Sequence, residues 1–105
     1  MIQALIERAM DIHTQYARFE EKTSARNWTG EEEVLGFVGE VWDLAKLILA
    51  QNGTRHMPEA EQKLAGQLAE CLWSVIVLAR LNNIDLEQAF TQTMDDLEQH
   101  LLSQS

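Results

Sequence analysis

Two stretches of this chain are apolar almost all the way round a helix, and that constrains its fold more than any other feature. Between Val34 and Leu49 the apolar side chains Leu35, Phe37, Val38, Val41, Trp42, Leu44, Leu47 and Ile48 cover more than one face. Between Leu68 and Leu81, Leu72, Trp73, Val75, Ile76, Val77 and Leu78 do the same. A helix with one apolar stripe can rest on one neighbour, whereas a helix apolar on several sides must be covered on several sides. A lone four-helix protomer of 105 residues is too small to do so. A homodimer that buries these faces between subunits is the expected remedy.

The rest of the chain reads as helix too. With one Pro and five Gly among 105 residues, it holds few of the residues that punctuate sheets and turns. The first helix is expected from about Ile2 to about Lys22, with Ile2, Leu5, Ile6, Ala9, Ile12, Tyr16 and Phe19 spaced three to four apart on one face. After the linker Thr23 to Trp28, Thr29 followed by Glu32 forms a capping-box pattern. Glu31 and Glu33 suit the positive end of the helix dipole. The acidic run is thereby explained as a helix start.

This second helix is expected to reach about Gln51 and to stop at Asn52-Gly53. The third is expected from about Glu59 to Leu81, ended by Asn82-Asn83. The fourth is expected from about Leu86 to Leu102, capped by Asp85. The expectation is therefore an all-α, four-helix bundle-like protomer forming one domain over residues 1–105.

Composition excludes several functions. Seventeen acids against eight bases give a net charge of -9, which repels nucleic-acid backbones and anionic membrane surfaces. No basic patch offsets it, so a nucleic-acid duplex is not an expected partner. The single cysteine, Cys71, rules out an internal disulfide and reads as a small core residue. The run Cys71 to Ala79 is too short to span a bilayer and the first residues lack the pattern of a signal peptide, so the cytoplasm is the expected compartment.

The chemistry is expected where polar residues interrupt the two apolar helices. Glu40 and Asp43 stand three apart on the second helix. Gln67 and Glu70 stand three apart on the third, with Lys63 and Ser74 on the same stripe. Packed side by side, the two helices would aim four oxygen-bearing side chains at one cleft. Buried carboxylates need a neutralising partner, and Mg²⁺ takes oxygen ligands of this kind. The same spacing also occurs on solvated helix faces, so spacing alone leaves both readings open.

Two segments add a resemblance. Gly36-Phe37-Val38-Gly39-Glu40-Val41-Trp42-Asp43-Leu44-Ala45 resembles the first motif of the MazG-like nucleotide pyrophosphohydrolases, roughly E-V-G-[ED]-L-A. Gln67-Leu68-Ala69-Glu70-Cys71-Leu72-Trp73 resembles the second, roughly E-L-A-D-x-L-W. The likeness runs from about Trp28 to about Leu97. It implies a helical dimer or tetramer that hydrolyses nucleoside triphosphates to monophosphate and pyrophosphate with Mg²⁺, Mn²⁺ being a possible substitute. Clearance of noncanonical nucleotides is one role it suggests.

Carried over, Glu40, Asp43, Gln67 and Glu70 are expected metal ligands, and Glu40, Asp43 and Glu70 catalytic residues. Lys46 is a candidate phosphate contact or an ion-pair partner of Asp43, and Trp28 a candidate base-stacking residue or a lid over the bundle end. Gln67 and Glu70 depart from the family's Glu and Asp, Trp42 stands in place of a Gly between the first-motif acids, and Thr93 and Leu97 replace a usual Lys and Asn. These departures define an alternative: a catalytically silent helical module that binds nucleotide or protein.

Overall fold

The computed structural model describes residues 2–22, 29–51 and 59–104. These form four helices, α1 (Ile2–Lys22), α2 (Gly30–Gln51), α3 (Ala60–Leu81) and α4 (Leu86–Ser103), with no strand among the described residues. The fold is all-α, as the periodicity predicts, and each helix begins and ends within a residue of expectation. Trp28 and the Asn52-Gly53 stop lie outside the described residues.

Local chemistry sets the helix ends. At the start of α2, the Thr29 hydroxyl accepts from the Glu32 amide at 3.2 Å, and the Glu32 carboxylate accepts from the Thr29 amide at 3.1 Å. This reciprocal pair satisfies two donors that the first helical turn would otherwise leave open. At the end of α3, Asn83 takes φ 57°. Asparagine tolerates this left-handed conformation better than most residues. That turn lets the Asn83 amide donate to the Arg80 carbonyl at 3.1 Å and the Ile84 amide to the Ala79 carbonyl at 2.9 Å, the two bonds of a Schellman stop. Two residues on, the Asp85 carboxylate accepts from the Gln88 amide at 3.1 Å and starts α4.

α3 is the central element. Its main contact is with α2, α1 lies along it, and α4 meets it more sparsely. Among the described residues the buried set is Ile6, Ser74, Ile76 and Val77, three of the four from a single turn of α3. α1 is tied to this turn by the Trp73 indole N–H, which donates to the Ala9 carbonyl at 3.1 Å. The expected α1 face is only partly buried: Ile6 is buried and Ile2, Ala9 and Ile12 are half-buried, while Leu5, Tyr16 and Phe19 stay exposed. The helix presents its apolar stripe to one neighbour, too narrow to cover every position on it.

The protomer is open. A closed globule of 12.0 kDa has a surface of about 6,000 Å², but this chain exposes 8561 Å². Its radius of gyration is 17.2 Å, against about 13 Å for a compact chain of this length.

By length and composition α3 could cross a membrane over Glu61–Leu81, although the shorter run Cys71 to Ala79 could not. Only 22% of that stretch is buried within the protomer, at and around the turn Ser74–Val77, so most of α3 is left for other surfaces to cover.

Candidate functional site

The apolar α2 and α3 meet along a seam that carries polar side chains at its middle. Glu40 is half-buried there and accepts a hydrogen bond from the buried Ser74 hydroxyl at 2.6 Å. Such a short bond to a carboxylate is charge-assisted and strong. Gln67, about two helical turns before Ser74, donates its amide to the Glu40 backbone carbonyl at 2.9 Å. Two α3 side chains thus hold one α2 residue, by its side chain and by its backbone.

Cys71 reports on the charge in this seam. Partial burial pushes its thiol above the ordinary value, the negative charge of Glu40 adds to the rise, a hydrogen bond with Gln67 opposes it, and Glu70 raises it further. Two of the three expected carboxylates, Glu40 and Glu70, therefore act on the same spot. Thiolate is the reactive form, so a raised pKa slows alkylation near neutral pH. Iodoacetamide should modify Cys71 more slowly at pH 8 than it modifies an unstructured cysteine peptide. Replacing Glu70 with Gln should move the midpoint of the rate–pH curve downward. An unchanged midpoint would show that Glu70 does not act on the thiol.

The four expected ligands are not drawn together equally. Glu40 and Gln67 meet directly. Glu70 is exposed, and Asp43 turns to Lys46 in an exposed ion pair of 3.3 Å. Of the two readings of Lys46, this geometry realises the ion pair. Trp42 lies on the far side of α2 from Glu40 and is 64% exposed, so its indole does not fill the space between the two acids. Thr93 and Leu97 are exposed on α4.

Among the described residues no group of three or more His, Cys, Asp or Glu is arranged to hold a metal ion. Mg²⁺ does not require one, because it is commonly bound by one or two carboxylates, with waters and substrate phosphates completing the shell. A donor set of Glu40, Glu70 and the Gln67 side-chain carbonyl is all oxygen and fits that pattern.

Beside the seam opens a cavity of about 470 Å³ between α1, α2 and α3, within the usual range for small-molecule sites. Tyr16 and Trp73 form an aromatic wall, with ring centroids 5.6 Å apart and planes tilted by 39°. Opposite stand Glu33 and Glu40, and His13 bridges to Glu33 at 3.1 Å. Charge and periodicity predicted neither the His13–Glu33 pair nor the role of Tyr16. The spacing of three and four residues that placed Ser74 on the stripe of Gln67 and Glu70 did carry the Ser74–Glu40 contact.

No protein-family model matches this chain, and no curated protein matches its sequence.

Proposed function

We propose that the chain is a protomer of a cytoplasmic, Mg²⁺-dependent nucleoside triphosphate pyrophosphohydrolase of MazG-like type, working as a homodimer or homotetramer. The observation that supports this best is Glu40: a half-buried carboxylate on the α2–α3 seam, fixed by Ser74, beside an aromatic-walled cavity. Glu40 and Glu70, with the Gln67 carbonyl, would hold the cation, which supplies charge neutralisation for the triphosphate.

In this reading Ser74 keeps the Glu40 carboxylate in one rotamer, so that no reorganisation is needed when substrate arrives. Gln67 fixes the backbone from which that carboxylate projects. Glu70 is exposed, so the carboxylate oxygen it does not give to the cation would be free to accept a proton from the attacking water. Tyr16 and Trp73 offer a stacking surface to the base. The open surface of the protomer supports the oligomer.

The test is pyrophosphate release from a broad nucleotide panel with Mg²⁺ or Mn²⁺; no release from any member would sink the enzyme reading. A companion measurement is calorimetry of Mn²⁺ on Gln67→Glu, which should bind the cation more tightly because a carboxylate replaces a neutral amide. Unchanged affinity would remove Gln67 from the ligand set.

One observation favours the second reading, a binding module without turnover: Asp43 is committed to Lys46 and not to the seam. Nucleotide binding in the absence of any pyrophosphate release would select it.

A further inference from the structure

The outward face of α2 is a continuous uncovered apolar face among the described residues. Val34, Val41 and Ile48 recur every seven residues, and Leu35, Trp42 and Leu49 do so one position later, with Val38 between the two rows. All seven are exposed. At about 100° per residue they occupy an arc of roughly 140° centred opposite the face that carries Glu40. Glu40, Gly36, Leu44 and Leu47 on that other face are half-buried. The face is about 22 Å long from Val34 to Leu49.

Three observations identify its occupant. The chain as a whole exposes about 2,500 Å² more than a closed globule of its mass, so covering the α2 face with the roughly 800 Å² per partner of a standard interface would remove only part of that excess. From Val34 to Leu49 the arc holds no charged side chain, so nothing on it selects a basic or an acidic partner. Its rows are self-matching, as a two-fold interface requires.

We infer that a second copy of this chain seats on the outward face of α2, with the two α2 helices antiparallel and crossing near Val41 and Trp42. The direction follows from charge. A parallel pair would place Glu31, Glu32 and Glu33 of both copies side by side, six carboxylates at one end. The antiparallel pair puts the two acidic ends at opposite ends of the interface, and like charges held apart by more than a Debye length are largely screened. In that register Val34 meets Leu49 of the second copy and Leu35 meets its Ile48. This assigns a face to the oligomer proposed above and rests on that part of the reading, not on turnover.

The experiment is sedimentation equilibrium of the full chain at micromolar concentration, with circular dichroism to follow helicity. The wild type is expected to be at least dimeric, and Leu35→Glu to raise its dissociation constant about 30-fold or more, as loss of an interface hot spot does, with helicity retained. A monomeric wild type, or a Leu35→Glu variant that associates as tightly, overturns the inference. Cysteine trapping provides a second readout in a Cys71→Ala background. Val41→Cys, next to the two-fold axis, should form a disulfide-linked dimer under mild oxidation, and Leu97→Cys on α4 should not. Crosslinking at position 97 alone would move the interface to α4. A wild type that is monomeric and partitions into phosphatidylcholine vesicles would assign the face to lipid instead. Failure of pyrophosphate release with the dimer intact would count against the enzyme reading alone.

Discussion

Glu40→Gln should lower pyrophosphate release by about 100-fold or more, the range expected when a charged group in a reacting centre is removed. The substitution keeps the shape of the side chain and leaves an acceptor oxygen for Ser74, which donates to it at 2.6 Å in the wild type. It removes the negative charge, so the fold should survive while the proposed cation site loses its main ligand. Turnover measured with Mg²⁺, alongside circular dichroism and the association state, separates these effects. Undiminished turnover with wild-type helicity would show that Glu40 is not part of the reaction, and the seam would then be a packing device. The contrasting variant is Asp43→Asn. Since Asp43 is exposed and paired with Lys46, its loss should cost far less than the loss of Glu40.

The second large effect is on stability. Val77 is 2% exposed and lines the cavity between α1, α2 and α3. Val77→Ala should destabilise the protein by about 2 kcal/mol, through lost burial and the cavity left behind. For a domain of this size that corresponds to a fall in Tm of roughly 8–16 °C. Protein concentration must be held constant in the comparison, because association raises apparent stability. Leu5→Ala removes more atoms from a side chain that is 55% exposed, and it should cost well under half as much. Equal costs would mean that Leu5 is covered in the assembled protein.

Much of the fold was legible in the residues because helix ends are local. Thr29 and Glu32 carry their capping pattern within four positions, Asn82-Asn83 announces a stop, and Asp85 a start. None of these depends on what packs against the helix. The site was legible only in part. A spacing of three or four residues says that two side chains share a face, and so Gln67, Glu70 and Ser74 fell on one stripe.

It does not say which way a long side chain turns when two partners compete for it. Asp43 has Lys46 three residues along its own helix, and that local pair wins over the seam. His13 and Glu33 are twenty positions apart, and only the approach of α1 to α2 brings them together. On α1, the spacing placed Leu5, Ile6, Tyr16 and Phe19 on one side of the helix, but which of them are covered depends on how broad a neighbour α3 presents. Periodicity alone does not carry that information.

The turn from Ser74 to Val77 holds three of the four buried residues described and also the hydroxyl that orients Glu40. Foldedness and chemistry are consequently not separable by position in this protein. In a library of random variants, substitutions in this turn would be lost as unfolded chains before their effect on reactivity could be seen. Tolerance would instead be highest at the ends of the seam. Adaptation toward a new ligand is therefore expected to enter through the α1 side of the cavity, where His13 and Ala17 lie outside the turn that keeps the helices together.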